Sequence, residues 1–142
     1  MRALLDVNVL IALLDSSHIH HAPAMQWLGT HIIDGWASCP ITQNGCIRIM
    51  SQPAYPNSRP PLEIASRLRE ATLSAKHQFW ADDASLLDMQ TFDWQQLFNP
   101  RQLTDAYLLA LAVQHAGVFV TFDHAVPLRA VAGAGAEHLV LI

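Results

Sequence analysis

The chain has 142 residues, 51% of them hydrophobic and 14% charged, with a formal net charge of −4. This suits one folded domain with its own core, residues 1–142, and excludes a disordered polar chain. The acidic balance offers no bulk attraction for nucleic acid, but all the basic residues except Lys76 are Arg, whose fork binds phosphate bidentately. An RNA substrate is neither supported nor excluded by charge.

In chain order, Ala3–Leu5 reads as a short buried strand. Val9, Leu10, Leu13 and Leu14 then recur at helical spacing. The whole opening stretch, LLDVNVLIALLD, is apolar around one carboxylate, Asp6, which is costly to bury unless paired. That same carboxylate breaks any signal-peptide pattern, so the expectation is a soluble, cytoplasmic chain with no membrane span. A second amphipathic segment, His20–His31, carries Met25, Trp27 and Leu28, with Gly29 as its stop.

Trp36–Ile41 is the next strand, and Thr42 is placed to cap a helix through Arg48 to Met50. Cys39 lies in an apolar run and fills core; two cysteines without a secretory context make no disulfide framework. Ser51–Pro61 holds four prolines and is a loop. Leu62–Leu73 follows as a helix, then a third strand at His77–Ala81. Asp82 or Asp83 would cap a further helical segment containing Leu86, Leu87 and Met89. Leu103–Ala116 is a strongly apolar helix with Thr104 as its N-cap and Gly117 at its end. Val118–Phe122 and His138–Ile142 complete the strands.

Strands alternating with helices predict an α/β fold, with a parallel sheet covered on both faces. Ligands bind such sheets beyond the carboxyl ends of the strands. Asp6 and Asp123 fall there, and Asp105 joins them if its helix begins at that edge. Each has a plainer role available, as a turn residue or a favourable charge at a helix start. Together they form a set of hard oxygen donors suited to Mg²⁺ or Mn²⁺.

LLDVNVLIALLD, TDAYLLALA and FVTFD, in this order, resemble the PIN domain and in particular the VapC toxins of bacterial toxin–antitoxin pairs. CPITQNGCIRIMSQPAY resembles a subgroup of them. The resemblance implies a three-layer α/β/α fold with a central parallel sheet of four or five strands. It implies an Mg²⁺- or Mn²⁺-dependent endoribonuclease acting on tRNA or ribosomal RNA, a homodimer, and an inhibitory VapB-like antitoxin. Asp6, Asp105 and Asp123 match the family's acids and are the expected metal ligands. Asn8 matches a polar position that orients the first acid or binds phosphate; its alternative is a helix N-cap. Thr121 matches a small polar residue beside the last acid and is expected to meet the substrate phosphate, with strand propensity as its alternative. Arg48 matches a phosphate- or acid-orienting Arg, or else forms a surface ion pair.

The chain departs from the family where a Glu is usual and Gln43 stands. An amide accepts a hydrogen bond from metal-bound water but carries no charge. Asp82 or Asp83 is a substitute for the missing acid, or else a helix cap. A second reading follows: a catalytically weak domain that binds RNA or protein. A third, a phosphoacceptor signalling domain, lacks the acidic pair and the Lys that such domains need. SSHIHH suggests zinc by its histidines alone, without accompanying Cys or Glu, and surface or structural roles are expected instead. GAGAEH lacks dinucleotide-fingerprint spacing.

Overall fold

A computed structural model describes all 142 residues. Five short strands form one parallel sheet: β1 Ala3–Leu5, β2 Trp36–Ser38, β3 His77–Phe79, β4 Val118–Thr121 and β5 Leu139–Leu141. Their spatial order is β3-β2-β1-β4-β5, so β1 lies at the centre. Five α-helices cross between them: α1 Val7–Leu14, α2 His21–His31, α3 Pro40–Met50, α4 Pro61–Thr72 and α5 Gln102–Gln114. No helix is long and apolar enough to cross a membrane.

The period-2 alternation of the strands divides the core. Ala3 and Leu5 of β1, with Val118 and Val120 of β4, pack under α1, α3 and α4 through Val9, Leu10, Cys46, Met50, Ile64 and Leu68. Leu4 and Phe119 point to the other face, against α5. Every residue of α5 from Ala106 to Ala112 is buried, as expected of a helix apolar all round. Both cysteines are buried and free. Burial pushes their thiols up to about 11 for Cys39 and about 12 for Cys46, which removes thiolate chemistry near neutral pH.

Several boundaries differ from the sequence expectation for local reasons. β2 ends at Ser38 because Pro40 occupies the first position of α3, where its missing N–H is no loss. Thr42 therefore lies inside the first turn of α3, and its hydroxyl accepts from the Cys39 N–H at 2.9 Å. Asp82 and Asp83 start no helix: residues 82–93 run through turns. α5 begins at Gln102, so Thr104 lies within it. Gly29 does not stop α2, which runs to His31 and tightens into a 3-10 turn at Ile32–Asp34.

The end of α5 also differs. Ala116, not Gly117, takes the left-handed turn, with φ 51°. The bonds Gly117 N–H to Ala112 C=O, 2.8 Å, and Ala116 N–H to Val113 C=O, 3.1 Å, make a Schellman end. Gly117 is small because a Cβ there would stand 2.6 Å from the Arg2 carbonyl and 2.8 Å from the Trp80 ring.

Candidate active site

The carboxyl edge of the sheet opens into a cavity of about 500 Å³ lined by Asp6, Asp82, Asp105 and Asp123 with Asn8, Asn44, Arg48, Arg101 and Thr104. β1 runs straight into α1 with Asp6 between them. Its Oδ1 accepts from the Val7 N–H at 2.7 Å, so Asp6 is itself the N-cap of α1. That displaces Asn8 from the capping role and leaves it exposed on the first turn, lining the cavity.

The register of β1 against β4 sets Leu5 beside Val120, which brings Thr121 beside Asp6. The Thr121 hydroxyl donates to Asp6 Oδ2 at 2.6 Å and accepts from the Asp123 N–H at 3.1 Å. Thr121 is fully buried and absent from the cavity wall. Its expected contact with phosphate is therefore corrected: it orients two acids from behind. Asp123 is exposed, and its Oδ1 accepts from the Ala125 N–H at 2.8 Å, a turn role that coexists with its place in the cavity. Asp105 enters on the first turn of α5.

The electrostatics follow first from burial and then from crowding of like charges. Burial lifts the Asp6 carboxyl above its ordinary range, the bonds from Thr121 and Val7 hold it down, and the Asp123 charge raises it again. Asp105 is pushed up to about 7, first by burial and then by the charges of Asp6 and Asp123. Such a cluster favours either protons or a cation.

Gln43 does not share this site. Its amide Nε2 donates to Ser38 Oγ at 3.0 Å, and Ser38 Oγ lies 2.8 Å from His77 Nε2. Gln43 lines a separate groove against Ala65, Leu68, Arg69 and Thr72 of α4. The expected role of Gln43 at the acidic site is corrected accordingly. The residue that α3 presents to the cavity is its neighbour Asn44, with Arg48 one turn on. The spacing of Asn44 and Arg48 sets both on one face of α3, and the packing of α3 turns that face to the cavity. Gly45 lets α3 approach α1 here, since a Cβ would stand 2.7 Å from Val7 Cγ2.

Asp82 does reach the cavity. Its Oδ2 accepts from the Ile41 N–H at 3.2 Å, capping α3 from a distant loop, while Oδ1 is buried with no hydrogen-bond partner. Asp83 instead accepts from Gln114 Nε2 at 3.0 Å at the surface. The histidines of SSHIHH take separate roles. The His21 ring bonds the Ala12 carbonyl at 2.7 Å, and the His20 ring stacks on Phe122 at 4.6 Å.

The donor set fits a hard divalent ion: carboxylate oxygens, amide oxygens and one orphaned carboxylate oxygen beside the cavity. No three of its acidic or other ligating side chains are near enough to chelate one ion as they stand. That suits Mg²⁺, which takes one or two carboxylates and keeps several waters.

A parallel sheet in this order, with acids converging at its carboxyl edge, is the architecture of a PIN domain. The PIN domain family model matches residues 3–134, and the chain belongs to that family. Within it, the chain belongs to the VapC-type toxins: it is 52% identical over 139 residues to ribonuclease VapC44 of Mycobacterium tuberculosis, covering 98% of each chain. The fold is shared with two solved structures at 13% identity. One is VapBC2 from Rickettsia felis bound to a DNA fragment from their promoter, with TM-score 0.60 over 87% of this chain and 89% of that one. The other is VapC20 of Mycobacterium tuberculosis, a Sarcin-Ricin loop cleaving toxin, with TM-score 0.62 over 87% and 91%.

Proposed function

We propose that the chain is a metal-dependent endoribonuclease toxin that cuts structured RNA of the translation machinery, tRNA or ribosomal RNA, and is restrained by a VapB-type antitoxin. The observation that carries this is the convergence of Asp6, Asp105 and Asp123 in one cavity, with Asp105 raised to about 7 by burial and then by its acidic neighbours. The 52% identity to a ribonuclease supports the activity, and the likeness to a VapBC assembly supports the partner. The homodimer is carried over from the family resemblance, and the cytoplasmic location from the N-terminal sequence, where Asp6 breaks a signal-peptide pattern.

Mg²⁺ or Mn²⁺ would be held among Asp6, Asp105 and Asp123, by one or two of these carboxylates directly and by the rest through its retained waters. When bound, it would lower the pKa of a coordinated water and steady charge on the cleaved phosphate. Thr121 aims Asp6 and favours its ionised form by donating to it, against the effect of burial. Asn8 and Asn44 present amides to the cavity, where they orient water or phosphate by hydrogen bonds. Arg48 holds a phosphate at the rim. A basic antitoxin segment would be drawn to the same acidic cavity.

The reading is tested by incubating the antitoxin-free chain with tRNA and with ribosomal RNA, in Mn²⁺ and in EDTA, and sequencing the product ends. Discrete ends that appear only with the ion are expected. Unchanged RNA from folded protein that binds Mn²⁺ would favour the binding-only reading, in which Gln43 replaces the usual acid and α3 brings no carboxylate to the cavity.

A further inference from the structure

The cavity is walled by helices from the two faces of the sheet, and each wall carries one guanidinium. On α3, Arg48 stands one turn beyond Asn44. On the other side, Arg101 immediately precedes α5 and lines the cavity with Thr104 and Asp105, three and four positions on. That spacing sets Arg101, Thr104 and Asp105 along one face of the helix start. The turn before α5 is fixed by the Asn99 side chain, whose Oδ1 accepts from the Arg101 N–H at 2.9 Å.

Both Arg side chains are exposed. Neither forms an ion pair, although four Asp line the same cavity; the ion pairs of the protein lie elsewhere. The chain has only 8 Lys and Arg in all, so two unpaired guanidiniums at one acidic mouth are a concentration of its scarce positive charge. A guanidinium binds a phosphate through two parallel hydrogen bonds. An RNA backbone laid across the mouth would meet one fork from each wall, with the acids between them.

We propose that Arg101 is a substrate-positioning residue that acts with Arg48 as a two-point clamp on the RNA backbone, holding phosphates on either side of the one that is cut. This rests on the ribonuclease reading and extends it. The clamp grips phosphate and reads no bases, so it acts alike on unrelated RNAs. Selection of a particular RNA then belongs to other surfaces.

The test is RNA binding by fluorescence anisotropy in an Asp6→Asn background, which prevents cleavage. It uses a short labelled single-stranded RNA and an unrelated RNA hairpin, from about 50 to 200 mM salt. Arg101→Gln is expected to weaken both RNAs by about tenfold at low salt and to reduce the log–log salt slope by about 0.7–0.9, the value for one lost phosphate contact. Arg101→Lys keeps the slope, since the charge remains. Arg48→Gln behaves like Arg101→Gln, and the double variant loses about twice the slope. An unchanged slope in Arg101→Gln, with the parent chain cleaving RNA in parallel, overturns the clamp alone. Absence of both cleavage and binding in folded protein overturns the clamp and the ribonuclease reading together.

Discussion

Thr121→Val separates support of the site from simple packing. The two side chains have nearly the same shape, and Thr121 is fully buried, so the exchange removes a hydroxyl and leaves little space. Two hydrogen bonds go with it: the 2.6 Å donation to Asp6 Oδ2 and the 3.1 Å bond from the Asp123 N–H. A bond to a charged group contributes about 1.5–3 kcal/mol and a neutral one about 0.5–1.5. The expected loss is thus about 2–4 kcal/mol, a fall in urea midpoint of about 1–2 M. Thr121→Ser keeps the hydroxyl and deletes one methyl, costing about 1 kcal/mol. The Thr121 bond favours ionised Asp6, so the gap between Val and wild type narrows as pH falls through the Asp6 carboxyl range. Urea unfolding of the three proteins at neutral and acidic pH measures all of this. A Val variant as stable as the Ser variant would refute the reasoning.

Other consequences follow from the same geometry. Asp105 holds its proton more tightly folded than unfolded, so metal-free stability should fall as pH rises from about 4 to about 7 and then level off. Taken at face value the shift is about 4 kcal/mol; with solvent screening at this partly exposed side chain, about 1–2 is expected. Asp105→Asn should flatten that part of the stability–pH curve, and Mg²⁺ should raise the melting temperature of wild type more than that of the variant at pH about 8. Restoring an acid should depend on position. Asn44→Glu places charge in the cavity and should tighten Mn²⁺ binding about tenfold, whereas Gln43→Glu faces α4 and should leave it unchanged by calorimetry. Ala116→Gly should stabilise by up to about 1 kcal/mol by relieving the left-handed turn. Gly117→Ala should cost about 1–3 kcal/mol against Arg2 and Trp80; chemical denaturation reads both.

Much of this molecule could be read from its residues, because the informative signals were local. The apolar strands and the helical spacing before Asp15 locate β1, α1 and the acid between them. The fully apolar segment from Ala106 to Ala112 identifies the buried helix that delivers Asp105. Harder to read were features set by distant partners. Asp82 caps α3 across 41 positions of sequence, so the turn chemistry around it pointed to a helix of its own. Gln43 and Asn44 are adjacent, and only the rotation of α3 against α1, permitted at Gly45, decides which one faces the acids. The turn at Ala116 was assigned to Gly117 because glycine usually takes that conformation; here packing on the Trp80 ring reserved the glycine for the next position.

The central claim is that the acids at the sheet edge work together on RNA through a divalent ion. Cleavage of total cellular RNA by wild type and by Asp6→Asn, side by side in Mg²⁺, Mn²⁺ and EDTA, tests it most directly. The account predicts cleavage by wild type with either ion, none in EDTA, and a loss of at least about 100-fold in Asp6→Asn, which keeps an oxygen to cap α1 but lacks the charge. Equal cleavage by the two proteins, or cleavage that persists in EDTA, would contradict it.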